Sequence, residues 1–292
     1  MPETGQRVTV VGAGTMGTGI AITALLPGHQ VTLVDTDAGA LERGIAYIEQ
    51  FRRRSVDLGK LDPPAAGAAL ARLRLEPELE AAAGSDVVVE AVFEDVDVKR
   101  ALFGRLDGIC GPDTLFHTNT STLSVTAIAG GSAQPERVVG THYCNPAPLM
   151  KLVELVPGIC TGDKALRRTH EYVEGLGKVP VETKDTPGFI VNRFLVPFEN
   201  DCIRALEAGL GDVETIDTAV KLGLGYPMGP FTLLDIVGLD IHRAVSLSLY
   251  HQLRDPRYAP PPLVERMIGA GHLGRKTGRG FYRYDDQRLY GA

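Results

Sequence analysis

The sequence predicts an α/β chain: a doubly wound sheet domain followed by a smaller all-α domain. Three observations carry that expectation. Short β-branched runs alternate with helical stretches over the first 185 residues, as in a parallel sheet covered on both faces. The first run ends at a glycine-rich turn that opens a helix. Beyond residue 185 the strand pattern fades, and helical segments joined by glycine-rich turns take over. The expected domains are therefore 1–185 and 186–292.

Arg7 to Val11 is short, apolar and β-branched, which predicts a buried parallel strand. A helix is expected from Gly14 to Leu26, closed by Pro27 and Gly28. Gln30 to Val34 predicts the second strand. A long helix carrying Arg52, Arg53 and Arg54 follows, then an alanine-rich stretch broken by Pro63, Pro64 and Pro77. Further strands are expected over Asp86 to Glu90, Thr114 to His117, Val138 to His142, Lys151 to Val156 and Lys178 to Glu182. Helices are expected over Val96 to Leu106 and around Ser124 to Ala129. At Asp185-Thr186-Pro187-Gly188 a capping residue ahead of proline signals the start of the first helix of the second domain. In that helix Ile190, Phe194, Phe198, Cys202 and Leu206 form an apolar stripe, and Pro197 is expected to bend it.

The 292 residues are 44% hydrophobic and 23% charged, the proportions of a globular protein rather than a disordered one. The formal charge is −6 at pH 7, which argues against a nucleic-acid or anionic-membrane surface. Cys110, Cys144, Cys160 and Cys202 are scattered without a CxxC pair, so reduced thiols are expected, with no metal site. The residues from Met1 to Arg7 carry no apolar leader, and no run approaches the ~18 apolar residues of a membrane span. A cytoplasmic location is the resulting expectation.

Gly12-Ala13-Gly14-Thr15-Met16-Gly17 is a GxGxxG turn between the first strand and first helix. The first glycine allows the tight turn, the second lets a pyrophosphate approach the backbone, and the third lets helix and strand pack closely. The phosphates would meet the free N–H groups of the helix start, those of Thr15 and Met16 among them. Asp35 ends the second strand, where a carboxylate can hydrogen-bond both adenosine ribose hydroxyls and repel a 2′-phosphate. A Rossmann-type domain selective for NAD is expected.

Chemistry in such folds gathers at the C-terminal ends of strands. Asn119-Thr120-Ser121 follows one apolar strand, and His142 ends another. Glu154 lies within the apolar run Lys151 to Val156. An alcohol that loses hydride to a nicotinamide must also lose its hydroxyl proton, a task suited to a histidine with an ordinary pKa of ~6.5. A carboxylate on the other ring nitrogen would hold the tautomer and stabilise the imidazolium. His142 with Glu154 has that logic.

Together the segments 12–17, 119–123, 142–154, 187–193 and 221–240 resemble the 3-hydroxyacyl-CoA dehydrogenase family, 3-hydroxybutyryl-CoA dehydrogenases included. The stretches from Asn145 to Glu154, Pro187 to Arg193, Tyr226 to Pro230 and Gly274 to Tyr282 carry the likeness most specifically. The resemblance implies that His142 is the acid/base and Glu154 its orienting partner. It implies that Ser121 bonds the substrate 3-oxygen, and that Asn192 reaches the same region from the second domain. Glu94 and Lys99 are implied as contacts near the nicotinamide ribose, Asn119 as a further cofactor residue, and Arg52 to Arg54 as substrate-side cations near the CoA phosphates. The chain departs from the family pattern at Tyr143-Cys144, where two aromatics usually follow the histidine, and at Thr122, commonly serine. The implied activity interconverts L-3-hydroxyacyl and 3-oxoacyl thioesters, CoA esters of short chain first, in a homodimer. Two alternatives stay open: the same chemistry on an acyl carrier protein-linked intermediate in extender-unit biosynthesis, and a non-catalytic NAD-binding structural protein.

Overall fold

The computed structural model describes residues 5–284, so four residues of the Met1 to Arg7 segment, read above for a leader, lie outside the described residues. The chain divides into two compact units, Met1–Phe189 and Ile190–Ala292, four residues beyond the boundary expected from sequence.

In the first unit, eight strands form one sheet in the order β3-β2-β1-β4-β5-β6-β7-β8. The strands are β1 (Arg7–Val11), β2 (Gln30–Val34), β3 (Leu73–Glu76), β4 (Val87–Glu90), β5 (Leu115–Thr118), β6 (Val138–Tyr143), β7 (Leu152–Pro157) and β8 (Val179–Glu182). All pairings are parallel except β6 with β7. The helices are α1 (Thr15–Leu25), α2 (Ala38–Asp57), α3 (Pro63–Leu70), α4 (Val96–Asp107), α5 (Val125–Ala129) and α6 (Asp163–Gly175). Period-two alternation sends successive strand residues to opposite faces. Val10, Val89, Leu115 and Val139 enter one core with α1, α2 and α6, whereas Val11, Val88, Phe116 and Val138 enter another with α4 and α5. Burial on both faces explains why these strands read as continuous apolar runs.

Two stretches escape the sequence reading. The alanine-rich stretch contains α3, started by Pro63 and Pro64, and the edge strand β3. Leu73-Arg74-Leu75-Glu76 is too short and mixed to announce itself, and its pairing with β2 makes it a strand. The second is α6, amphipathic along residues given no element from sequence.

The second unit is helical: α7 (Val191–Glu207), α8 (Val213–Gly223), α9 (Pro230–Val237), α10 (Leu239–Leu253) and α11 (Pro262–Gly269). Its core joins Cys202, Ile203, Phe231, Leu234, Leu239 and Val264. The expected helix start at Pro187 is not found. Gly188 (φ 78°) and Phe189 (φ 48°) are left-handed, which breaks a right-handed helix, so α7 begins at Val191. Asp185 does not cap α7 either: its carboxylate accepts from Ser124 Oγ (2.9 Å), Val125 N (2.9 Å) and Thr126 N (2.8 Å), pinning the start of α5. The apolar stripe of α7 divides in two. Phe198, Cys202 and Leu206 join the core, whereas Ile190 and Phe194 are 39% and 74% exposed.

Candidate active site

The turn after β1 is shaped by its glycines. Gly12 has φ 104°, and a Cβ there would lie 2.5 Å from Ala91 O. A Cβ on Gly17 would lie 1.8 Å from Gly12 O, so the third glycine is required for α1 to pack against the turn. A Cβ on Gly14 would meet nothing within 4 Å. The space over the second glycine is open at the start of α1, and no side chain caps that helix. An open cradle over uncapped N–H groups fits a pyrophosphate. Thr15 and Met16 form the first turn above it.

Asp35 lies one residue past β2, its Oδ2 accepting from Ala13 N (2.7 Å) and its Oδ1 from Asp37 N (2.9 Å). The carboxylate is thereby locked to the glycine-rich turn. Asp37 starts α2 by accepting from Gly39 N.

At the far end of the sheet, β6 and β7 run antiparallel, with His142 directly opposite Glu154. Directly opposed residues share one face with Cβ atoms ~5 Å apart, and a slip of one residue would separate them. Nδ1 of His142 lies 2.6 Å from Oε2 of Glu154. Glu154 is fully buried and His142 is 7% exposed. An ionised carboxylate only accepts, so Nδ1 carries the proton and the lone pair of neutral His142 is on Nε2. Phe189, held against Val125 and Val156, packs its ring 5.6 Å from the imidazole. Lys178 Nζ donates to the carbonyls of Ala147 (2.7 Å), Pro148 (3.1 Å) and Met150 (2.8 Å), which ties down the connection between β6 and β7. Burial pushes the Cys144 thiol up to about 11, helped by the Glu154 charge, so it stays neutral beside the pair.

Asn119 and Ser121 follow β5. Asn119 Oδ1 accepts from Tyr143 N (3.0 Å), joining the ends of β5 and β6. The Ser121 amide donates to Glu94 Oε1 (2.8 Å). Lys99, expected near the nicotinamide ribose, is 1% exposed and bonded to Glu90 Oε1 at 2.6 Å. Glu94 lies 3.3 Å from the Lys99 ammonium and has its other oxygen on the Ser121 loop. Burial pushes the Glu90 carboxyl up, opposed by the Lys99 charge and by the Lys99 and Thr118 hydrogen bonds. Sequence reasoning missed Glu90, Lys178 and Phe189. Only Glu90 left a signal, a lone acid closing an apolar strand.

Asn192 is the second residue of α7, half-buried, and not its N-cap. Arg52, Arg53 and Arg54 lie on α2, with Arg53 paired to Glu49 at 3.2 Å. Arg53 and Arg54 line an open groove shared with Glu49 and Asp57.

Comparison with known proteins agrees with this geometry. The NAD binding domain of 3-hydroxyacyl-CoA dehydrogenase matches residues 7–186, and the C-terminal domain of the same family matches 188–284. A 3-hydroxybutyryl-CoA dehydrogenase of Bradyrhizobium diazoefficiens is 42% identical over 96% of this chain and 95% of its own. The 3-hydroxyadipyl-CoA dehydrogenase of Escherichia coli is also 42% identical, over 97% of this chain, which spans 60% of that longer protein. The crystal structure of Mycobacterium tuberculosis FadB2 superposes with a TM-score of 0.93 at 40% identity, covering 97% of this chain and 100% of its own. Among the described residues, no helix is long and apolar enough to cross a membrane. With a nucleotide cradle at one strand end, a histidine–carboxylate pair at another and both family domains in order, the chain belongs to the 3-hydroxyacyl-CoA dehydrogenase family of NAD-dependent oxidoreductases.

Proposed function

We propose that the protein interconverts L-3-hydroxyacyl-CoA and 3-oxoacyl-CoA thioesters of short acyl chain, with His142 as its acid/base. The carrying observation is the His142–Glu154 hydrogen bond set by the β6–β7 register. Gly12, Gly14, Thr15, Met16, Gly17 and Asp35 hold the cofactor, with Asn119 and Glu94 toward its nicotinamide end. NAD supplies a two-electron acceptor for the hydride that leaves C3 of the alcohol. As that carbon becomes a carbonyl, Nε2 of His142 takes the hydroxyl proton and later releases it to solvent. Glu154 keeps the ring in the required tautomer and lowers the energy of the imidazolium. Ser121 donates to the 3-oxygen, and Asn192 is assigned to the substrate as well.

The short-chain assignment follows the substrate named for the Bradyrhizobium relative. Arg52 to Arg54 are assigned to the thioester carrier, and the protein is assigned as a homodimer through the helical unit. A carrier-protein thioester is the second reading. The basic run on α2 favours it, because a spread of cations suits an acidic protein surface as well as a nucleotide phosphate.

One assay tests these assignments. Oxidation of NADH is followed against 3-oxoacyl-CoA, pantetheine-truncated and carrier-linked thioesters, and NADPH is tried with the best of them. Activity on CoA esters with NADH is expected, falling by roughly 10²–10⁴ in His142→Gln. Charge reversal at Arg52 to Arg54 should raise KM for CoA esters and spare the truncated ones. Normal single-turnover rates in His142→Gln would refute the acid/base assignment. A defect confined to carrier-linked substrate would make that carrier the better reading.

A further inference from the structure

The first unit buries two opposite charges to which the proposed reaction assigns no step. Glu90 ends β4 and is fully buried, and Lys99, one turn into α4, is 1% exposed. Taking a carboxylate and an ammonium out of water is costly, and an apolar pair of similar size is often the more stable choice. The geometry is nonetheless saturated. Glu90 Oε1 accepts from Lys99 Nζ (2.6 Å) and Val92 N (2.8 Å), while Oε2 accepts from Thr118 Oγ1 (2.6 Å).

The ammonium has a second anionic neighbour, Glu94 Oε2, at 3.3 Å. Glu94 lies between β4 and α4, outside any regular element, with its side chain 39% exposed. Its other oxygen collects the loop after β5: Oε1 accepts from Thr120 Oγ1 (2.6 Å), Ser121 N (2.8 Å) and Thr122 N (3.2 Å). Thr120 Oγ1 in turn accepts from Leu123 N (3.0 Å). The chain of contacts runs without a gap from Thr118 through Glu90, Lys99 and Glu94 to the Ser121 backbone.

We propose that the buried Glu90–Lys99 pair is a positioning assembly that orients Glu94 and, through it, fixes the loop carrying Ser121. Without the ammonium, Glu94 Oε2 loses its charged neighbour, and only the loop's own donors on Oε1 hold the half-exposed side chain in place. Lys99 therefore acts through Glu94 and does not reach the reacting atoms. The inference rests on the assignment of Ser121 to the substrate 3-oxygen.

The test is a double-mutant cycle with two readouts besides turnover: NADH affinity by fluorescence titration, and hydrogen exchange at the Ser121 and Thr122 amides. Glu94→Ala should lower kcat by about tenfold or more, as misplacement of a reacting group does. In a Ser121→Ala background the same change should cost under about twofold, because coupled residues are not additive. Lone removal of Lys99 would strand a buried carboxylate, so Glu90→Gln is combined with Lys99→Met to keep the interior neutral. That pair should reproduce the kcat loss and speed exchange of both amides. An additive cycle, or unchanged amide exchange, would overturn the proposal. Weaker NADH binding with unchanged exchange would also overturn it, because Glu94 would then serve the cofactor alone. Normal turnover in Ser121→Ala would instead remove the underlying assignment, and only that variant reads it directly.

Discussion

His117 shows how one buried side chain couples the fold to pH. It is fully buried on β5, with Nε2 2.9 Å from Thr169 Oγ1, and burial pushes its pKa down to about 3. Thr169 already donates to Ala165 O (2.9 Å), so its hydroxyl oxygen accepts from His117, whose ring is neutral. A histidine with a depressed folded pKa contributes stability that is full above its unfolded value near 6.5. That contribution is lost as pH falls from about 6.5 toward 3, because only the unfolded chain takes up the proton. Half-buried His29, lowered by burial and by Arg72, acts in the same direction. Stability should therefore fall with acid at up to about 1.4 kcal/mol per pH unit per histidine. His117→Gln, which can still donate to Thr169, should flatten that slope between pH 6 and 4 in denaturant titrations. An unchanged slope would place the acid sensitivity elsewhere.

At the scale of elements, segment 185–189 links three features. Asp185 holds the start of α5, Gly188 and Phe189 break the backbone before α7, and the Phe189 ring lies on His142. Proline after a polar residue reads as a helix start, but two left-handed residues in succession outweigh that preference. Asp185→Ala would leave two amide donors and a hydroxyl without their carboxylate. The cost should be about 1–2 kcal/mol, as for other lost helix caps. In a chain of this size, Tm should fall by roughly 2–4 °C per kcal/mol. Asp185→Asn, keeping one acceptor, should recover part of it. A Tm unmoved in the alanine variant would show that the α5 start does not depend on Asp185.

At the scale of the whole molecule, the helical unit leaves large apolar side chains in solvent. Phe194, Leu222 and Leu224 are 74%, 76% and 61% exposed, and Ile190 is 39% exposed. Isolated exposed apolar residues are ordinary, but several on one small unit suit a second copy of the chain. The 31.3 kDa chain should therefore sediment at about twice its own mass. Phe194→Glu should shift that equilibrium toward monomer. A monomeric wild-type protein at micromolar concentration would contradict the homodimer.

Local patterning alone determined the sheet domain, its GxGxxG turn with Asp35, and the helical character of the second unit. Those properties depend on neighbours in sequence: β-branched runs, glycines at a strand end, and apolar residues at helical spacing. What only tertiary structure decided lies across strands. The antiparallel β6–β7 register sets His142 against Glu154, a pairing that the order of residues does not determine. Edge strand β3 exists because β2 pairs with it. Lys99 is one of the most buried side chains in the first unit. Its partner Glu90 closes the adjoining strand, and only the packing of α4 against the sheet brings the two together. Burial of a charge is decided by what faces it in space, and residue order does not record that.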